Sequence, residues 1–264
     1  SGSVTAFTYA DGFLALPRHT ELVEAGAPVT VQLLGEGLAP ADLVAIGSHC
    51  LGLDLLLGEL QEQGHATKAL HVGSMGGLAA ARRGECDLAG IHLLDPESGA
   101  YNRPFLEEGL RLLPGYRRMQ GVVFRPGDPR FEGREAAPAI AEAAADPDCV
   151  MVNRNPGSGT RILTDRLLDG REPPGYGVQT KSHNAVAAAV AQGRADWGVA
   201  IGTVAQDYGL GFLPLQEEHY DFAVPASRWE RPAVAALRAL LADPAIRDRL
   251  RGLGFRPGDA GDGG

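Results

Sequence analysis

Hydroxyl side chains recur where this chain turns from an apolar run into a helix, and the fullest case is Asn153-Arg154-Asn155-Pro156-Gly157-Ser158-Gly159-Thr160-Arg161. The run Cys149 to Val152 predicts a strand and Asn155-Pro156-Gly157 a tight turn. Ile162, Leu163, Leu167 and Leu168 then carry the spacing of a helix that starts at Ser158. A helix start leaves backbone N–H groups without intrahelical partners and carries partial positive charge, so the N–H groups of Gly159 and Thr160 could seat an oxyanion. Arg154 and Arg161 flank the turn with forked guanidinium donors suited to planar or tetrahedral anions. An ordinary capped helix accounts for Ser158 and Gly159 equally well, because Ser is a preferred N-cap with or without a ligand.

The same order of strand, hydroxyl turn and helix appears three more times. Leu43 to Ile46 leads through Gly47-Ser48-His49 into a leucine-rich helix, and His71-Val72-Gly73-Ser74-Met75-Gly76 leads into Leu78 to Arg83. Thr180-Lys181-Ser182-His183 precedes a helix over Ala185 to Gln192. Each serine reads either as a cap or as a ligand group. The candidate binding set is Ser48, His49, Ser74, Arg154, Ser158, Gly159, Thr160, Arg161, Ser182 and His183. Gly84 to Ile91 and Gly193 to Ala200 echo one another, each a turn with an acid, Asp87 or Asp196, ahead of a strand. Alternating strands and helices predict an α/β fold whose mainly parallel sheet presents ligand groups at the carboxyl ends of its strands. The doubled pattern predicts two lobes facing across a cleft. Gly121 to Phe124 is expected to cross between them, Leu210 to Leu215 to return, and Val234 to Leu241 to be the final helix. Tyr101-Asn102-Arg103 reads as a loop at the lobe interface and Tyr220-Asp221 as a turn there.

Composition narrows the function. With 264 residues, 44% of them hydrophobic, the chain can bury two lobes' worth of core. A net charge of −9 argues against nucleic acid or an anionic membrane as partner, so an anion site has to be local. Cys50, Cys86 and Cys149 lie far apart with no CxxC pair, which fits neither a disulfide framework nor a zinc knuckle and points to a reducing cytoplasm. No stretch approaches the roughly 20 apolar residues that span a bilayer. The start, Ser1-Gly2-Ser3-Val4, has no signal-peptide pattern, and without Met it is expected to belong to something longer. The seven histidines show no metal-site spacing, and there is no Walker loop or Gly-x-Ser-x-Gly elbow. A catalytic reading would have to run from Ser158 through His183 to Asp196.

Residues 1–37 read as short strands, Val4 to Tyr9, Phe13 to Leu16 and Val29 to Leu34. Their Ser-Gly-Ser opening, Asp-Gly-Phe turn, Leu-Pro and Glu-Ala-Gly resemble the end of the C-terminal β-barrel domain of molybdopterin molybdenumtransferase. Gly35 to Pro40 is expected to be a linker. From about residue 41 to 225 the chain resembles the periplasmic-binding-protein-like domain of cytoplasmic regulators, also found fused to those transferases. Gly-Ser-His-Cys, Tyr101 to Phe105, Tyr116 to Gly121, Asn153 to Arg161, Ser182 to Ala187 and Glu218 to Asp221 carry that resemblance. The Asn153 to Arg161 segment is also similar to the Arg-Gly-Asp-x-Ser-Gly-Thr segment of tungstate-binding proteins. These resemblances imply a two-lobed, type II periplasmic-binding-protein-like α/β fold with a short N-terminal β segment. Lobe 1 would comprise 38–125 and 210–257, lobe 2 residues 126–209, with a disordered tail over 258–264. They imply a cytoplasmic, non-catalytic module closing on molybdate or tungstate, with no covalently bound cofactor and no metal. Its partner would be a fused or associated molybdopterin molybdenumtransferase. The alternative is an adaptor that binds an organic ligand, the pterin cofactor or its precursor.

Overall fold

The computed structural model describes residues 10–24, 26–35 and 40–258, and the chain divides into two units, 1–41 and 42–264. In the first unit β1 (Gly12–Phe13) pairs antiparallel with β2 (Gln32–Leu33). Phe13 to Leu16 and Val29 to Leu34 were expected as longer strands; two-residue strands are what a hairpin with exposed Leu16, Val29 and Val31 sustains. The expected strand Val4 to Tyr9 lies outside the described residues, as do most of the expected linker and of the glycine-rich tail.

The second unit opens as β3 (Leu43–Gly47), α1 (Leu51–Glu62), β4 (Thr67–His71), α2 (Gly73–Arg82) and β5 (Ala89–Ile91). Leu53, Leu56, Leu57 and Leu60 form the buried stripe of α1, and Gly64, at φ +89°, takes the left-handed conformation that ends it. β3 and β4 run parallel over five residue pairs, and Ala45 bridges to Leu88 just before β5. Then come β6 (Leu110–Phe124), α3 (Ala136–Ala145), β7 (Met151–Arg154), α4 (Gly159–Leu168), β8 (Gln179–Thr180), α5 (His183–Ala191), β9 (Trp197–Ile201) and α6 (Gly202–Asp207). The chain closes with β10 (Gly211–Pro225), α7 (Pro232–Ala242), α8 (Pro244–Gly252) and β11 (Arg256–Pro257).

β6 and β10, fifteen residues each, pair antiparallel along nearly their whole length. One end of this ribbon carries β5 on β10; the other carries β9, β7 and β8 beside β6. The two strands thus serve both lobes. The crossings expected at Gly121 to Phe124 and Leu210 to Leu215 are only the ends of these strands. Pro114, Gly115, Arg117, Arg118 and Gln216 to Glu218 would break an apolar pattern if solvent faced them, but Arg118 and Glu218 are buried and paired. Tyr220 and Asp221 likewise form no turn; they sit inside β10 at a bulge. The helix expected over Val234 to Leu241 is α7 and is not the last, since Asp243 caps a further helix that begins at Pro244.

Four apolar clusters pack around the ribbon among the described residues, and two of them are the larger. Leu43, Leu56, Leu60, Tyr116, Phe222 and Leu237 belong to one, and Phe124, Phe131, Ile140, Met151 and Trp197 to the other. Two glycines bring helix starts close to strand ends. A Cβ at Gly77 would lie 2.5 Å from Gly47 Cα, and one at Gly159 would lie 2.6 Å from the His92 carbonyl oxygen.

Candidate functional site

The turns after β3, β4, β5 and β7 converge. Ser48, whose N–H donates to Gly90 O at 2.9 Å, extends β3 toward β5. His92 follows β5 directly, and its N–H donates to Ser74 Oγ at 3.2 Å. Ser74 is fully buried in the first turn of α2, so its hydroxyl braces the His92 backbone.

The His92 ring lies between a serine and a carboxylate. Nδ1 is 2.9 Å from Glu218 Oε2, and Nε2 is 3.0 Å from Ser48 Oγ. Glu218 also accepts from Arg118 Nε on Oε1 and from Gln120 Nε2 on Oε2. Burial by itself would raise the Glu218 carboxyl. The Arg118 guanidinium and the His92 contact outweigh it and hold the group at about 2, so it is ionised. An ionised Glu218 requires Nδ1 of His92 to carry a proton, and burial works against a second one. Nε2 of the neutral ring is then an acceptor for the Ser48 hydroxyl. Ser48 consequently turns lone pairs, not its proton, toward the pocket.

The opposite wall differs. Arg154, the last residue of β7, is buried; Nη2 reaches Lys181 O at 3.4 Å, while Nε and Nη1 have no partner among the described residues. Both nitrogens of buried His183, Thr160 Oγ1, and Nη1 and Nη2 of Arg118 also have none. Burial and the neighbouring Arg118 charge bring the Arg154 guanidinium down to about 10, which leaves it charged near neutral pH. Burial and these two arginines push His183 well below its ordinary value and keep it neutral. Unpaired donors on buried cations cost free energy that an anion recovers. A cavity of about 280 Å³, lined by Ser48, His49, His71, Val72, Gly73, Arg154, Asn155, Ser158 and Lys181, opens beside them.

Of the residues expected from sequence, Ser48, His49, Arg154 and Ser158 line this cavity together. Ser158 caps α4 through Arg161 N, and Ser182 caps α5 through Ala185 N, at 3.2 and 3.1 Å. Gly159 packs on His92, and buried Thr160 lies in the first turn of α4. Ser74 is engaged behind the cavity. The Arg161 guanidinium is taken up within the protein, by Asp165 at 2.7 Å, by Tyr176 Oη at 2.6 Å and by Arg154 O at 3.3 Å. The relay from Ser158 through His183 to Asp196 is not formed. Asp196 accepts from Arg125 Nη2 at 2.6 Å and from Val150 N at 2.8 Å, and Ser158 is a helix cap. His92, Arg118, Gln120 and Glu218 were not singled out as site residues. The available signal was period-two placement of Arg118 and Gln120 between apolar residues of one strand, and a histidine directly after a buried strand, where Ser48 also stands.

A family profile and solved structures agree on this scaffold. A family profile described as the PBP superfamily domain matches residues 57–242. The chain belongs to this family. A second profile, the MoeA C-terminal region (domain IV), matches residues 1–34. The uncharacterized protein YvgK of Bacillus subtilis (strain 168) is 30% identical over 193 residues, which is 69% of this chain and 60% of that protein. The chain therefore spans about 60% of the length of that relative. Among solved structures, a putative phosphate ABC transporter substrate-binding protein with bound phosphate from Clostridium perfringens has a TM-score of 0.66 at 10% identity, covering 82% of this chain and 99% of that one. The tungstate-binding protein TupA from Desulfovibrio alaskensis G20 has a TM-score of 0.55 at 18% identity, covering 82% and 98%. The type II periplasmic-binding-protein-like α/β fold expected from the sequence is the fold observed, with β6 and β10 as its shared strands. Among the described residues no helix is long and apolar enough to cross a membrane.

Proposed function

We propose that the cavity between Ser48 and Arg154 binds a small tetrahedral oxyanion, molybdate or tungstate, and that the domain acts by binding and not by turnover. The observation that carries this reading is the buried Arg154 side chain, with two guanidinium nitrogens aimed at no protein acceptor, at the edge of a cavity that Ser158 also lines. Charge-assisted hydrogen bonds contribute roughly 1.5–3 kcal/mol each, so three or four suffice for micromolar affinity. Support for the anion class comes from the tungstate and phosphate named for the two structural neighbours. Support for a place in molybdenum cofactor assembly, as a cytoplasmic sensor fused or associated with a molybdopterin molybdenumtransferase, comes from the match of residues 1–34.

Calorimetry with molybdate, tungstate, sulfate and phosphate tests the proposal. Phosphate belongs in that panel because a Ser48 hydroxyl committed to His92 offers an acceptor, which a protonated anion can use. Heat with a micromolar dissociation constant is expected from at least one anion, and silence from all four contradicts the reading. Hydrolysis of an activated ester, lost in Ser48→Ala, would contradict a purely binding role and make Ser48, His92 and Glu218 a triad.

A second reading, an organic ligand such as the pterin cofactor or its precursor, is favoured by another cavity of about 390 Å³. Tyr101 and His219 line it with rings stacked 4.9 Å apart, beside Tyr116 and Asp221. A pterin that binds there without competing with molybdate would establish that reading.

A further inference from the structure

His49 and His71 line the anion cavity, yet neither is needed to neutralise an oxyanion. They belong to a cluster of their own. His49 Nε2 lies 2.8 Å from Asp54 Oδ2, and the His71 ring stands edge-on to the His49 ring, centroids 4.7 Å apart and planes at 80°. One ligand atom from each of His49, Asp54 and His71 lies within 4.8 Å of the other two. Three different parts of the scaffold supply them: the turn after β3, the first turn of α1, and the last residue of β4. The parallel pairing of Gly47 with His71 fixes the backbones of two of these segments side by side.

Two imidazoles and a carboxylate make a ligand set for divalent transition metals, and a three-ligand site leaves coordination positions open. With metal–ligand bonds of about 2.0–2.2 Å, tetrahedral geometry puts ligand atoms roughly 3.3–3.5 Å apart, between the 2.8 Å of the His49–Asp54 contact and the 4.8 Å that bounds the cluster. Small side-chain rotations bring the three atoms to that spacing. They are cheap because the His49 and Asp54 side chains are 28% and 45% exposed. The cavity also has more room than four oxygens need.

We infer that His49, Asp54 and His71 form a site for one divalent transition metal ion of the Zn²⁺ class at the rim of the anion cavity. Its open position faces Ser48 and Arg154, so that metal and oxyanion are held together. The metal site stands on the histidine and aspartate geometry alone; only the shared cavity rests on the anion reading.

The test uses the full chain after treatment with a chelator, titrated with Zn²⁺ by calorimetry and with Co²⁺ by visible absorption. Stoichiometric binding is expected, with Co²⁺ bands of four- or five-coordinate intensity. His71→Ala and Asp54→Asn should each weaken it by about tenfold or more, with the melting temperature of the metal-free protein unchanged, while His65→Ala, outside the cluster, has no effect. Adding molybdate or phosphate to the Co²⁺-loaded protein should shift the bands. Absence of stoichiometric binding, or binding indifferent to both His71→Ala and Asp54→Asn, overturns the site. Intact metal binding with bands indifferent to every anion overturns the shared cavity. Metal binding without any anion heat refutes the anion reading and leaves the metal site standing.

Discussion

Asp87 and Asp196 hold matching places in the two lobes. Each follows a turn, accepts a backbone N–H at 2.8 Å, from Val44 and Val150 respectively, and pairs with two arginines. On that common scaffold the polar groups at the cavity are treated in opposite ways. On the side of β3 and β5 the chain from Ser48 through His92 to Glu218 is closed by contacts within the protein, with Arg118 Nε and Gln120 Nε2 completing the carboxylate's partners, while Nη1 and Nη2 of Arg118 keep no partner among the described residues. On the side of β7 and α5, Arg154 and His183 are buried with donors or acceptors unmatched in the protein. One wall holds a carboxylate that answers its arginine and fixes proton positions; the other holds an arginine with no carboxylate partner, whose charge a ligand answers. Binding energy and folding energy should therefore separate by lobe.

The largest effect is expected where the paired wall is broken. Glu218→Gln removes the counter-charge of the buried Arg118 and should lower unfolding free energy by about 3–5 kcal/mol, read by urea titration. An effect no larger than that of a surface change would dissolve the contrast between the walls. The same carboxylate gives a pH dependence. Its folded-state pKa, at about 2, lies below the ordinary value of about 4.3. Its contribution is thus complete above the unfolded-state value and is lost as pH falls from roughly 5 toward 2. Thermal melts across that range should show a steep loss in the parent chain and a shallower one in Glu218→Gln. At the small end stands Arg161→Ala. Its pair with Asp165 is an i,i+4 contact with a 43% exposed partner, and the largely buried guanidinium also donates to Tyr176 Oη and Arg154 O, so stability should fall by about 1–2 kcal/mol. Anion affinity should not move, and a large loss of affinity would return Arg161 to the site.

What the sequence displayed was whatever is local. The turns that carry Ser48, Ser158 and Ser182 announce themselves because strand, glycine, hydroxyl and helix stand next to one another in the chain. His92 and Glu218 are 126 residues apart, and Arg118 and Glu218 are 100 apart, so no spacing rule joins them. Charges in the middle of β6 and β10 read as interruptions of a strand because the partner that permits their burial lies on the neighbouring strand. Arg161 shows the converse. Its capture by Asp165 was visible as an i,i+4 pair, but the helix start beside it suggested a ligand instead.

The division between the walls is tested most directly by measuring anion affinity and the melting temperature of the ligand-free protein on the same Arg154→Ala variant. Removing a buried guanidinium with unmatched donors should cost about 2–3 kcal/mol of binding, a factor of roughly 30–150, and leave the melting temperature unchanged or higher. A lower melting temperature with unchanged affinity would mean that Arg154 braces its lobe, and would contradict the assignment of the cavity as an anion site built on it.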